Sequence, residues 1–431
     1  MTPLIVCMVL AGDAEPDASE DNEELTSEEF RERQSNLGVD ILQHALRAPE
    51  YAMELALTPL GLLVSATERY RLHERIPDLL QNEDGTIRLT PDFKLSVGQG
   101  AGGGATLSFR SLTRDEAKLA LGLLYRVNFD RQFHARVKRR FSVLEGRELS
   151  FGGSLEVDRD REWFGIGGNT QFSDRRTVRD ETLGADFTMD LRHRGAKRYT
   201  GDVSVGFLRQ TLLPGEGPRA PPVGSDEDVA TPPGFERTLD FARAGVSFQF
   251  SNIDSEGRPT RGGIVQANTR AVIDVNSDGF SALHSSVRAV QYFEILPRNR
   301  VVALKAGANA AVPLRGGDTV PFDELVSYGG SDVLRGYRRG RFRDELGWWA
   351  AAEYGFPVYE LGGLGFALAP TFFFDVGQVS GAVDEFSESP LHYSGGVGLT
   401  ASHDLFWALT FSLGFSPDGA QLSIELGEAF F

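Results

Sequence analysis

The sequence predicts an all-β fold, a transmembrane antiparallel β-barrel of about sixteen strands behind a short N-terminal helical and disordered segment. Three observations predict it. From about Arg88 to the end, apolar and polar residues alternate with a period of two. The connections between alternating segments swing between short and long. The 431 residues include Gly 49 and Phe 30 but only Met 4 and Cys 1. No run of about 20 apolar residues is present, so no membrane-spanning helix is indicated. The 41% hydrophobic and 24% charged content matches a soluble globular protein, but a membrane barrel hides from a hydropathy scan. The net charge of -17 argues against a nucleic-acid partner.

The N-terminal elements come first. Residues 1–14 hold an apolar run from Leu4 to Ala11, like a secretory signal without its basic start. Cys7 sits in that run behind Val6, where a lipoprotein would need a small residue. The mature chain would then contain no cysteine and no disulfide. Residues 15–37 are acidic and polar, a disordered linker. Residues 38–87 form an N-terminal helical segment, a plug or a periplasmic surface element. Within it, Glu54 and Pro59 interrupt Met53–Val64 too often for that stretch to span a bilayer. The barrel is placed at 88–431.

Within the barrel the dyads are regular. Leu119, Leu121, Leu123 and Tyr125 oppose Lys118, Gly122 and Arg126. Leu183, Ala185, Phe187 and Met189 oppose Asp186, Thr188 and Asp190. Ala244, Val246, Phe248 and Phe250 oppose Arg243, Gly245, Ser247 and Gln249. Leu304, Ala306 and Ala308 oppose Lys305, Gly307 and Asn309, and Leu409, Leu413 and Phe415 form a further apolar face. A soluble sandwich would turn such charges to water; a membrane barrel turns them to a wet lumen. Connection lengths favour the barrel. Turns near 195–197, 297–299, 360–362 and 402–404 are short, while 159–179, 210–236, 314–345 and 378–390 are long.

The longest of these connections carries the densest motif. Tyr328-Gly329-Gly330 is followed by Leu334-Arg335-Gly336-Tyr337 and a basic run, Arg338 to Arg343. Glu353 and Asp375 lie on the polar phases of the next two strands, opposite the large apolar groups Trp348, Tyr354, Phe356, Phe372 and Phe374. A loop folded into the lumen brings Arg335 to both carboxylates, which a planar guanidinium fork suits.

This combination resembles the BamA/TamA-type outer-membrane assembly factors, the bacterial surface antigen superfamily. The resemblance implies that the loop after the eleventh barrel strand enters the lumen. It also implies that its arginine meets a glutamate on strand twelve and an aspartate on strand thirteen. Leu334 stands where the family usually has valine or isoleucine. Before the barrel there is too little chain for a full POTRA domain, so a member without periplasmic repeats is expected. The final Phe431 resembles the C-terminal signal by which such barrels are themselves recognised.

Other motifs carry less. Trp163-Phe164-Gly165-Ile166-Gly167-Gly168-Asn169-Thr170 lacks the strand-to-helix setting of a dinucleotide site. The glycines from Gly98 to Gly104 lack the Gly-Lys-Ser/Thr of a phosphate loop. The seven histidines show no metal spacing, and no Gly-x-Ser-x-Gly elbow appears. No cofactor or catalytic residue is expected. The function implied by resemblance is assembly or export of other proteins at the bacterial outer membrane, through a seam between first and last strands. The partners would be outer-membrane lipid and client β-barrel or secreted proteins. Two alternatives stand beside it: a passive pore or structural barrel, and a lipid-modifying enzyme of the outer-membrane phospholipase kind.

Overall fold

The computed structural model describes residues 82, 84 and 86–427, apart from the short stretches 97–99, 110–117, 127–130, 141–147, 192–197, 218–219, 226–228, 256–258, 297–299, 362–365 and 404–406. The signal-like segment, the acidic linker, almost all of 38–87, and Phe431 lie outside the described residues.

The alternating segments fold as strands because period two sends successive side chains to opposite faces. In chain order they are β1 (Ile87–Ser96), β2 (Gly100–Phe109), β3 (Lys118–Arg126), β4 (Arg131–Arg140), β5 (Glu148–Trp163), β6 (Arg176–Asp190), β7 (Tyr199–Pro214), β8 (Thr238–Ser251), β9 (Gly262–Asp274), β10 (Ala282–Leu296) and β11 (Arg300–Pro313). A long connection then holds two short strands, β12 (Val326–Tyr328) and β13 (Phe342–Asp344). The wall resumes with β14 (Leu346–Gly355), β15 (Tyr359–Leu361), β16 (Phe366–Ser380), β17 (His392–His403), β18 (Trp407–Ser416) and β19 (Gly419–Gly427).

Each wall strand pairs antiparallel with its neighbour in sequence, and β19 returns to β1. The result, among the described residues, is a closed cylinder of 16 long strands. β15 pairs with β16 just past the end of β14 and prolongs that side of the wall. β12 and β13 form a separate two-stranded ladder inside.

The outer surface carries Leu123, Tyr125, Phe151, Leu155, Leu183, Phe187, Val246, Phe248, Leu304, Phe374 and Phe415, all exposed. Water would not tolerate so continuous an apolar band, and lipid does. No described helix is long and apolar enough to cross a membrane; the strands cross it. Phe356, expected on the outward phase, is buried where it packs against Tyr354 and Phe372, themselves on that phase, just beyond the end of β14.

Connections 164–175, 215–237, 314–345 and 381–391 lie at one end, together with the shorter 275–281 and 417–418, and turns such as 297–299 and 404–406 lie at the other. By the usual asymmetry the long loops are extracellular and the turns periplasmic. The first two hairpins depart from the pattern, because β1 and β2 are joined by 97–99 alone. Two loops are shorter than the sequence predicts. β5 runs to Trp163 and β6 starts at Arg176; β7 runs to Pro214 and β8 starts at Thr238. The charges that read as loop stand on strands projecting beyond the apolar band, where they form ion pairs. Arg161 meets Asp180 across the sheet, while Arg179 meets Glu181 on its own strand and Glu216 just past the end of β7.

Two features of this cylinder position everything that follows. Among the described residues the closing ladder is short: Phe93–Ser96 pair with Ser423–Leu426, with Leu95 opposite Ile424. β1 and β2, by contrast, pair from Ile87 to Ser96 without a break. Second, the long-loop end is filled by an apolar core. Trp163, Val178, Leu212, Ala282, Ala311 and Val379 come from the wall, Val223 and Val229 from the 215–237 loop. Phe322, Leu325, Leu334, Tyr337 and Phe342 come from the 314–345 connection.

Candidate functional site

The connection 314–345 turns back into the barrel as a hairpin. Its β12 and β13 pair Val326 with Asp344 and Tyr328 with Phe342. The tip between them is held by backbone bonds. Gly329 N–H donates to the Val333 carbonyl, Gly330 N–H to that of Tyr337, and Tyr337 N–H to that of Leu334. Gly329 has φ 105°, and a Cβ there would sit 2.1 Å from the Arg338 carbonyl oxygen. Only glycine fits. Leu334 adopts φ 53° with its side chain fully buried. A β-branched residue is a strong outlier in that conformation, so leucine suits this backbone better than valine or isoleucine.

Arg335 sits at the tip. Its Nε and Nη2 donate to the two oxygens of Asp375, at 3.0 and 2.6 Å, and its backbone N–H donates to Asp375 Oδ2 at 2.9 Å. Its Nη1 reaches Glu353 Oε1. The guanidinium lies 3.8 Å over the Phe373 ring. Asp375 is 1% exposed, and the Ser394 hydroxyl donates to it as well. Lys305 on β11 takes the other Glu353 oxygen at 2.8 Å. Burial works against the Arg335 charge, but Asp375 and Glu353 outweigh it and hold the group above its ordinary value.

Gly336 follows, pressed on the wall: a Cβ there would lie 2.6 Å from the Phe415 backbone and 2.8 Å from Ser394 Cβ. The Ser416 hydroxyl donates to the Gly336 carbonyl at 2.7 Å. Tyr328 is buried, with its hydroxyl donating to Asn309 Oδ1 at 3.0 Å, and Tyr337 is buried edge-on to Phe342. The structure thus gathers Leu334, Arg335, Gly336, Glu353 and Asp375 at one point. Tyr328, Gly329, Gly330 and Tyr337 shape the hairpin around them.

The basic run is not a surface loop. Arg338 pairs with Glu162 on β5, and Arg341 pairs with Asp418 and donates to Thr170. Gly167 of the Gly-rich motif donates to the Arg343 carbonyl, so that motif is a packing partner of the hairpin. Arg343 is different. It is 3% exposed and lies over Phe322 at 4.6 Å. Burial, with Arg161 and Arg339 nearby, pushes it down to about 9.

The sequence missed three contributors. Lys305 lay in plain view on the polar phase of β11. Phe373 was the signal least used, a large aromatic on the inward phase of β16 between two apolar outward neighbours. Ser394 carried no signal, since a serine on an inward phase is ordinary.

The same architecture recurs elsewhere. BamA from Haemophilus ducreyi lacking POTRA domains 1–3 superposes with TM-score 0.59 at 14% identity, over 79% of this chain and 70% of that one. CdiB from Escherichia coli superposes with TM-score 0.51 at 14% identity, over 78% of this chain and 62% of that one. At such identity these matches show the fold alone. No curated protein matches by sequence. The model of the Omp85 superfamily domain matches residues 118–430, from β3 to the end of the wall. The chain belongs to the Omp85 superfamily, as a bacterial outer-membrane β-barrel.

Proposed function

We propose that this barrel inserts or translocates other proteins at the outer membrane, through the seam between β1 and β19. The observation that carries the reading is the short closing ladder, Phe93–Ser96 with Ser423–Leu426, in a wall whose other long strands pair at greater length. An edge with unused N–H and C=O groups is a template for another strand. The clients would be β-barrel or secreted polypeptides. Arg335, held between Glu353 and Asp375, would fix the hairpin against β14 and β16. Its part in function would follow from that positional role. The apolar core at the long-loop end argues against a wide passive pore.

The test is a lock. Leu95 and Ile424 oppose each other in register. Paired cysteines at these positions, oxidised to a disulfide, should stop client insertion in reconstituted vesicles while the barrel stays folded. Reduction should restore it. Normal insertion by the locked protein removes the seam from the mechanism. Depletion in the native cell, followed by an outer-membrane protein profile, would identify the clients.

A further inference from the structure

Pro91 lies inside β1, just short of the ladder that closes the barrel. A proline has no N–H to give. Sheets accept it where the missing donor points away from a partner strand. β1 nevertheless pairs with β2 straight through this position, Pro91 opposite Ala105, with no shift of register. The blank therefore faces the seam. Alternate residues of an antiparallel strand turn their N–H groups to the same neighbour. Period two then sends the N–H groups of Phe93 and Leu95 toward β19.

Among the described residues the closing ladder runs no further than Phe93 with Leu426. One step further, any strand lying along β1 would set a carbonyl against Pro91 with no donor to meet it. In a bilayer such a carbonyl has no water to turn to. Behind this stretch, β2 sets Gly102, Gly103 and Gly104 against Lys94, Phe93 and Asp92. Glycines bring no side-chain bracing to the pair.

We propose that Pro91 is a register stop built into the edge of β1. It interrupts the row of seam-facing donors between Leu89 and Phe93 and makes the seam part first at its periplasmic end. The partner is an antiparallel membrane strand: β19 at rest and, on the reading given under Proposed function, the edge strand of a client in transit. The stop itself stands without that reading; its use by a client rests on it.

The experiment is amide hydrogen exchange on the full chain in detergent micelles, comparing wild type with Pro91→Val and Pro91→Ala. Both variants restore the N–H, and only valine also favours a strand, so both must show the effect. Exchange across Ser423–Gly427 should slow by about three- to tenfold, the effect of one hydrogen bond. Exchange across Gly100–Phe109 should be unchanged. Slowing in Gly100–Phe109 instead, or in neither segment, overturns the proposal, because the blank would then not face the seam. A client-insertion assay separates the two claims. Slower exchange with slower insertion supports both. Slower exchange with normal insertion keeps the stop and sinks the seam mechanism.

Discussion

Lys305 and Arg335 share one carboxylate: Lys305 Nζ lies 2.8 Å from one oxygen of Glu353, while Arg335 Nη1 holds the other. Among the described residues Asp375 has no such second cation; besides Arg335 it takes the hydroxyl of Ser394. The two wall anions are therefore unequal. If the hairpin withdrew, Glu353 would keep a charged partner on β11 and Asp375 would not.

Substitutions should reveal this inequality. Arg335→Ala leaves the 1% exposed Asp375 as a buried charge, a loss of about 3–5 kcal/mol at a dry site. Glu353→Gln should cost less, about 1–2 kcal/mol, because Asp375 still holds Arg335. Heat-modifiable gel mobility and denaturant unfolding in micelles give both numbers. Equal losses, or an unshifted Arg335→Ala profile, would mean the hairpin is held by packing alone.

Arg343 should respond with the opposite sign. It is buried, its ordinary value is pulled down to about 9, and its contact is the face of Phe322. Its charge is a cost in the folded state below that pH, and the cost fades as pH rises through about 9. Arg343→Met keeps the apolar stem and removes the charge. It should match or raise the unfolding midpoint at neutral pH, by about 1 kcal/mol if the buried charge dominates. A loss like that of Arg335→Ala would show that Arg343 anchors the hairpin too.

Gly336→Ala tests the close approach of hairpin and wall. The new methyl would meet the Phe415 backbone at 2.6 Å, and backbone cannot swing aside. A loss of about 1–3 kcal/mol is expected, the usual cost of overpacking. At Gly330 the nearest atom to a Cβ is 3.6 Å away, so Gly330→Ala meets only the strain of φ 124°. Gly330→Ala should therefore be the milder change, and a reversed order would place the tip elsewhere in the lumen.

The turn 252–261 carries the pH prediction. Partial burial pushes Asp254 up, but the Thr260 hydroxyl and the backbone N–H groups of Thr260 and Arg261 outweigh this and hold it at about 2. A lowered carboxylate stabilises above its unfolded value, near 4, and the contribution is lost as pH falls through about 2. Exchange of the Thr260 and Arg261 amides should thus stay protected at pH 4 and loosen toward pH 2. Loosening between pH 6 and 4 would deny the bonds.

Planar-bilayer conductance checks the filled lumen. Wild type should give a small, flickering signal. A variant lacking the hairpin tip should give larger, steadier openings. A wide and steady wild-type pore would favour the passive-channel alternative.

Most of the wall was legible because period two is a local property: every strand announces its own two faces. Glu353 and Asp375 were legible for the same reason, since phase alone put both carboxylates on the lumen side; that Arg335 meets them was what a loop folded into the lumen, and the family resemblance, implied. What stayed hidden depends on neighbours. The charged ends of β5 and β6 read as loop, because the pairing of Arg161 with Asp180 appears only once the strands are adjacent. The burial of Phe356 was hidden because its packing against Tyr354 and Phe372 joins two segments. The apolar core at the long-loop end has no period at all. Its members arrive singly from many strands and two loops.

That core also divides the cylinder mechanically. Trp163, Val178, Leu212, Ala282, Ala311 and Val379 tie wall segments to one interdigitated mass, so the extracellular rim behaves as a stiff crown. Strain imposed from either side must then be absorbed by the opposite rim, which among the described residues has no such core to resist it. A stiff crown over a compliant skirt would let the wall gape sideways at its base while the outside of the cell stays sealed.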